Sequence, residues 1–477
     1  MRTNPFLLLF ILAFGLITLI VGINVPFALL LLVTGLCFVL TFRYSLKGFP
    51  LVLFLIAFIT RLVFILVVDT PLISDFKMLY EAGVSYANGD YSFSLDQYFS
   101  EWAYQTGFVI YEGIIIKIFG AKSAFLVLKL LNAVFSSATF VFIYWILKNY
   151  IREKVAQFCA LFGSFLIFPL TFVTVLSNQQ LSTFFMVIGL FFFTEKNITL
   201  KPWVRGALSG LFFALGNIIR PEGMVVLAAL VIFFLLRLVN PRHERRGAIL
   251  SMGILLFFIY FSLNFLASQW IMGSGVNPQG LKNNNSLYKF VVGLNHETKG
   301  LYSDADVDAI YGQEMSKEER DKLEVQMIIQ RLSAGPKKLL ALLVSKQQLL
   351  WGGNPVIWSY QHLLDAEKSV NLLGIEIPMV KVGELLWRLH NLQIFLLFAL
   401  SVMGGAFLLR GTMNHYFMVY YLVLLMSAAA FLLIEVQPRY IYFPQHLLVI
   451  TTAIGFEGML QRFGQKQPKA QGPMLPL

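Results

Sequence analysis

Residues 51–68 read LVLFLIAFITRLVFILVV and run straight into DTPLISDF at 69–76. The first stretch is apolar enough, and long enough as a helix, to cross the hydrocarbon core of a bilayer. Asp69, Thr70 and Pro71 end it, and Ser74-Asp75-Phe76 opens a polar segment. In that segment Phe76, Leu79, Tyr80 and Gly83 fall on one helical face, Ser74 is placed to cap, and Asn88-Gly89 is a stop signal. A helix over 74–88 is expected, with Asp75 in its first turn at the mouth of a transmembrane bundle.

The rest of the chain agrees with a membrane setting. Of 477 residues, 57% are hydrophobic and 13% charged, too few charges to cover a soluble protein of this size. The net charge of +11 does not point to nucleic acid, because the basic residues concentrate at alternate connections between apolar runs. Cys37 and Cys159 both lie inside apolar runs, so neither a disulfide framework nor a cysteine metal site is implied. The apolar run after Met1-Arg2-Thr3-Asn4 is read as a span rather than a signal peptide, since no Ala-x-Ala pattern separates it from the next.

Spans are expected near 5–22, 25–42, 50–68, 123–147, 155–176, 180–194, 205–219, 223–239, 248–270, 387–409, 413–434 and 440–460, about twelve in all. Arg43 and Lys47, then Lys148, Arg152 and Lys154, then Lys196, Lys201 and Arg205, then Arg237, Arg242, Arg245 and Arg246, then Arg410, and finally Arg462, Lys466 and Lys469 follow every second span. By the positive-inside rule these connections and both termini are cytoplasmic. Residues 69–122, Ser177-Asn178-Gln179, Arg220-Pro221-Glu222, 271–386 and Glu435 to Arg439 then face outward.

The large outward loop carries Asp304, Asp306, Asp308, Glu314, Glu318, Glu319, Asp321 and Glu324, read chiefly as solvated helix faces; the alternate acids at 304–308 lack the register of a calcium loop. After Gly335-Pro336, a helical pattern puts Leu339, Leu342, Leu343, Lys346, Leu349 and Leu350 on one face. Lys346 is therefore on an apolar face, either snorkelling to the interface or aimed at a phosphate at headgroup depth. The tail from Gly464 is polar and rich in Pro and Gly, a disordered composition.

Ionisable groups at membrane depth are costly and mark functional sites by default. Asp75, Arg220, Glu222, Glu435 and Arg439 cluster at the outward ends of spans, with Arg61 inside one. Arg220 with Glu222, or Glu435 with Arg439, could instead form internal pairs. As a site, the set has a carboxylate suited to take a proton from an acceptor hydroxyl (Asp75) and cations suited to hold a leaving phosphate (Arg220, Arg439, Lys346). Tyr80 and Tyr440 could add hydrogen bonds or pack on a sugar ring.

At these residues the chain resembles the GT-C glycosyltransferases, specifically the family 39 group of protein mannosyltransferases and aminoarabinose transferases. The features that carry the resemblance are Ser74-Asp75-Phe76 with Tyr80 and Asn88 to Tyr91, Gly107 with Tyr111 and Phe119-Gly120, Arg220-Pro221-Glu222-Gly223, Gly293 to Asn295 with Gly300, Pro336 with Lys346 and Trp351, and Glu435-Val-Gln-Pro-Arg439-Tyr440 with Pro444. The resemblance implies an all-α polytopic GT-C-type bundle, a first outward loop with two interfacial helices, matched by 74–88 and 107–120, and Asp75 as the catalytic residue. It implies a polyprenyl-phosphate monosaccharide donor, inversion at the anomeric carbon, and an extracytoplasmic acceptor whose identity stays open, in the cytoplasmic membrane of a bacterium. On that plan residues 1–48 are two additional spans, 49–270 the core with its catalytic loop at 69–122, 271–386 the extracytoplasmic loop with amphipathic helices, 387–462 the last spans and 463–477 a cytoplasmic tail.

Protein mannosyltransferases carry adjacent Asp-Glu in the first loop; here Phe76 follows Asp75, which bears against a protein acceptor. Glu222 and Glu435 are alternative bases. Six scattered histidines, His296 among them, have no ligand-spaced partners, so a metal-independent reaction is favoured, with a divalent cation left open. The competing readings are a polysaccharide ligase or polymerase using diphosphate-linked donors, a transporter or flippase, and a scaffold. Within the spans only Arg61 and Asn264 are candidates for midplane polar sites, and neither shows an evident partner.

Overall fold

The computed structural model describes residues 25–44, 46–195, 199–239, 246–285, 287–372, 374–409 and 415–464. The expected span at 5–22, the basic residues Lys196, Arg242, Arg245, Arg410, Lys466 and Lys469, and the tail from 465 lie outside these. Helices dominate the rest. Val25–Arg43, Phe49–Val67, Ala121–Lys148, Gly247–Gly273 and Met379–Phe407 are each long and apolar enough to cross a membrane. Gln179–Thr194, Gly223–Leu238 and Met418–Leu433 are shorter apolar helices. Pro202–Ile219 and Tyr442–Gly464 complete the set. Every expected span within the described residues falls on a helix, although only five meet the length and hydropathy for crossing, or six if the bent pair below is one span. The long helix after the large loop begins at Met379, eight residues before the expected start of its span at 387.

The Phe49–Val67 helix shows why these elements suit lipid. Leu53, Ala57, Arg61 and Ile65 are buried on one face, while Leu51, Leu55, Ile59 and Val63 are exposed on the other. In water that stripe would drive association; against acyl chains it is the solvated side. Helix-to-helix contact then depends on close approach rather than on apolar burial. Gly206 and Gly210, one turn apart on Pro202–Ile219, lie where a Cβ would stand 2.1 Å from Met252 O and 2.4 Å from Leu256 O of the Arg246–Gly273 helix.

The expected span at 155–176 is broken. Glu153–Ser164 and Ile167–Thr174 meet at 56°. A break inside lipid leaves main-chain groups that must find partners, and two side chains supply them. Gln393 accepts from Ile167 N (2.9 Å) and donates to Phe165 O (3.0 Å). Arg61 Nη1 donates to Ser164 O (3.1 Å) and to Ala57 O (2.9 Å), and its Nε to Ser136 Oγ (2.9 Å). Arg61 thus has partners that sequence spacing does not reveal, and so does Asn264, which accepts from Asn217 Nδ2 at 2.8 Å and donates to Tyr260 O. The bent pair delivers the chain into Ser177-Asn178-Gln179, at the same end of the bundle as the first loop and the large loop.

The first loop forms two helices, Ser74–Ala87 and Thr106–Phe119, packed on each other. Phe76, Leu79, Tyr80 and Gly83 are buried as their shared face requires, and Asn88 and Gly89 end the helix. Ser74 does not cap it: Ile73 is the N-cap residue and no side chain caps the helix. The large loop holds Tyr288–Gly293, Asp304–Tyr311, Lys317–Leu332, Pro336–Gly352 and Ile357–Asp365, and a small antiparallel hairpin, Ser369–Leu372 with Ile375–Pro378. The acids at 304–308 form a helix capped by Ser303, with Asp306 bonded to Arg331 and Asn295.

Candidate active site

Four segments far apart in sequence converge at the loop end of the bundle. Asp75 lies in the first turn of Ser74–Ala87, with its side chain 41% exposed. Arg439, on the short turn Pro438–Ile441, places Nη2 3.4 Å from Asp75 Oδ2. The Arg439 guanidinium sits 5.1 Å from the Phe76 ring centre and 5.0 Å from that of Trp358, and these rings meet edge to face. A planar cation packed against two aromatic rings keeps its orientation at little entropic cost. Gln179 Nε2 fixes the turn from below, donating to Arg439 O at 2.6 Å.

Arg220 stands beside this group. Its Nε donates to Glu222 Oε1 (2.7 Å), its Nη1 to Asn178 Oδ1 (3.0 Å), and its plane lies over Tyr440. Asn178 continues a polar relay to Gln105 and then Tyr98. Tyr98 is close enough to Asp75 and Arg439 to feel both charges. Of the two internal pairs considered from sequence, Arg220 with Glu222 is formed and Glu435 with Arg439 is not.

Glu435 is buried and pairs instead with Lys289, which also lies over the Trp102 ring. It further accepts from Gln437 (2.8 Å) and the Tyr440 hydroxyl (3.3 Å). Burial alone would raise its pKa, but the Lys289 charge, the hydrogen bonds from Lys289 and Gln437 and the nearby Arg439 charge hold it below the ordinary glutamate value. Glu222 behaves differently: burial pushes its carboxyl up despite Arg220. Both alternative bases are therefore engaged with cations, and Asp75 is the most exposed of the three carboxylates.

Asp75, Arg220, Glu222, Glu435, Arg439 and Tyr440 are thus brought together. Tyr80 is not: its hydroxyl donates to Ala121 O and its ring packs on Phe125, away from the cluster. Lys346 lies behind the cluster, fully buried, with its ammonium on three main-chain carbonyls. Sequence reading missed Lys289, Asn178, Gln179 and the aromatic pair Phe76 and Trp358. Lys289 lies between Tyr288 and Phe290 just after the polar run 282–286, and gives no periodic signal. Beside the cluster, an apolar groove of about 650 Å³ runs between Pro336–Gly352 and Met418–Leu433, lined by Leu343, Val344, Gln347, Trp351 and Leu432 among others. Among the described residues, no three His, Cys, Asp or Glu side chains converge as a metal site.

The architecture and the cluster define a predominantly helical, multi-pass membrane protein with a cation-rich polar site at one end of its spans. Residues 110–266 match the family model of dolichyl-phosphate-mannose-protein mannosyltransferase. That match bears out the resemblance to GT-C glycosyltransferases of family 39. No curated protein matches the chain. Among solved structures, the archaeal oligosaccharyltransferase AglB from Archaeoglobus fulgidus, in complex with an inhibitory peptide and a dolichol-phosphate, is similar at 14% identity and a TM-score of 0.48, over 90% of this chain and 53% of that one. The apo form of the Archaeoglobus fulgidus oligosaccharyltransferase gives 13% identity and 0.48, over 87% and 51%. The chain spans about half the length of these structures.

Proposed function

We propose that the protein is an inverting glycosyltransferase that moves a monosaccharide from a polyprenyl-phosphate donor to a hydroxyl of an acceptor outside the cytoplasm, in the cytoplasmic membrane of a bacterium. The observation that carries the reading is the placement of a half-exposed Asp75 against Arg439, with Arg220 and Lys289 alongside, where the spans end. The family match, whose name specifies a dolichyl-phosphate-linked mannose donor, supports the same class of donor.

The donor's phosphate sits at headgroup depth and its prenyl chain in the acyl layer, where the Leu343, Trp351 and Leu432 groove offers an apolar bed. Arg439 and Arg220 face the phosphate, with guanidinium forks that match its oxygens. Asp75 accepts the proton of the acceptor hydroxyl as that oxygen attacks the anomeric carbon from the face opposite the phosphate. The anomeric C–O bond breaks, its electron pair passes to the departing polyprenyl phosphate, and the arginines stabilise the charge that develops there. One displacement inverts the centre and needs no second carboxylate.

Purified protein in lipid nanodiscs, offered radiolabelled polyprenyl-phosphate and polyprenyl-diphosphate sugars with membrane extract as acceptor, tests the donor class. Label is expected to move from a monophosphate monosaccharide. Transfer only from diphosphate-linked oligosaccharides would make the protein a ligase or polymerase instead.

A further inference from the structure

Lys346 lies within the Pro336–Gly352 helix with none of its surface exposed. Its Nζ donates to Gly293 O (2.6 Å), Leu432 O (2.8 Å) and Ile434 O (2.9 Å). An ammonium has three N–H donors, so each has an acceptor. The acceptors have a pattern. Gly293 ends the Tyr288–Gly293 helix, and Leu432 and Ile434 flank the end of Met418–Leu433. Helix C-termini present unpaired carbonyls and the negative end of the dipole, and here one cation closes two of them.

Between these ends runs the strap that enters the site. Glu435 N donates to Lys289 O (2.8 Å) and Val436 N to Gly300 O (2.9 Å). Gly300 has φ +80°, and a Cβ there would stand 3.0 Å from Lys346 Cε, so the lysine stem packs on bare backbone. Glu435, Arg439 and Tyr440 all follow within six residues of Ile434.

We propose that Lys346 is a positioning residue that ties this strap to the large loop, so that Glu435 meets Lys289 and Arg439 reaches Asp75. The role rests on reading the cluster as a transferase site, and it is exerted through the backbone rather than on the donor phosphate. Burial lowers the pKa of Lys346 to about 8. The charged and titratable groups on the elements packed against it are Tyr288 and Lys289 on Tyr288–Gly293, His296, Glu297 and Lys299 in the segment leading to Gly300, Tyr420 and Tyr421 on Met418–Leu433, and Glu435, Arg439 and Tyr440 on the strap; Glu435 is engaged by Lys289, Gln437 and Tyr440. Loss of the proton removes one donor and the charge that closes the helix ends. Because the folded-state value lies below that of free lysine, the unfolded chain binds more protons between the two, and this titration raises global stability as pH rises through that window. Alkaline loosening of the strap is therefore separable from unfolding.

The test uses the full chain in nanodiscs with a labelled polyprenyl-phosphate monosaccharide, comparing wild type, Lys346→Arg and Lys346→Met. Kinetics, thermal unfolding and hydrogen exchange at the Glu435 and Val436 amides, corrected for intrinsic rate, are followed against pH. Wild-type kcat and strap protection are expected to fall through about pH 8 with no drop in Tm, and the fall is absent in Lys346→Arg. In Lys346→Met, kcat drops about 100-fold, the scale of an ångström-level misplacement, with donor KM unchanged. A raised donor KM with kcat and strap protection intact would overturn the proposal in favour of direct phosphate contact. Strap protection equal to wild type in folded Lys346→Met, or in Lys346→Gln where the methionine variant does not fold, would also overturn it. If wild type transfers no sugar, the transferase reading fails, while the exchange data still decide whether Lys346 holds the strap.

Discussion

Arg439 Nη2 lies 3.4 Å from Asp75 Oδ2, joining residues 364 positions apart in the chain. The contact is long for a charge-assisted hydrogen bond. It holds the guanidinium at the carboxylate without closing the carboxylate off, which leaves Asp75 room for an acceptor hydroxyl. Phe76 and Trp358 supply the rigidity that a short bond would otherwise provide.

Arg439→Lys keeps the charge and removes the planar fork and its stacking. Transfer kcat is expected to fall about 100-fold, the loss typical of one stabilising donor on a developing anion. Steady-state kinetics check this, and a kcat within a few-fold of wild type would remove Arg439 from the leaving-group side.

Glu435→Ala leaves the half-buried Lys289, stacked on Trp102, without its carboxylate. Because Lys289 keeps about a third of its surface in solvent, the loss is below that of a fully buried pair, about 1–3 kcal/mol, to be read as a lower midpoint in thermal or denaturant unfolding. The pair also has a pH signature. Glu435 is held below its ordinary value of 4.5, so its contribution is complete above that value and is lost as pH falls through the lower folded-state value. Wild-type stability should therefore decline on acidification below about pH 4.5, and Glu435→Gln should flatten part of that decline.

Tyr80→Phe should leave kcat and KM unchanged, because the hydroxyl is bonded to Ala121 O and not directed at the cluster. Loss of that bond costs about 0.5–1.5 kcal/mol of stability. A large kinetic defect would return Tyr80 to the substrate.

Gly210→Val pushes a branched side chain into Leu256 O, where Pro202–Ile219 and Arg246–Gly273 approach closely. Destabilisation of about 1–3 kcal/mol is expected, seen as a lower melting temperature and reduced yield in detergent. An unchanged melting temperature would mean the two helices have slack that the structure does not show.

The spans and the first-loop helix were legible because lipid imposes a length and a continuous apolar composition, and an interfacial helix imposes a face. The order of basic connections gave a consistent expectation of sidedness. The break at Phe165-Leu166 was not legible, since an apolar run reads the same whether straight or bent, and the partners that repair it, Arg61 and Gln393, lie far away in sequence. Charges at the ends of spans could be listed as candidates, but pairing is a tertiary property. Glu435 was as plausible a partner for Arg439, four residues on, as for Lys289, which is 146 positions away. Lys346 was correctly placed on an apolar face, yet only the three-dimensional arrangement reveals that its donors meet carbonyls from two helix ends.

The most direct measurement compares wild type and Asp75→Asn in nanodiscs, following both binding of a labelled polyprenyl-phosphate monosaccharide and its transfer to acceptor. Asparagine fills the same volume and cannot take the proton, so donor binding and melting temperature should match wild type while transfer falls by about 100-fold or more. Normal turnover by Asp75→Asn would contradict the assignment of Asp75 as the base and move the proton acceptor elsewhere in the cluster.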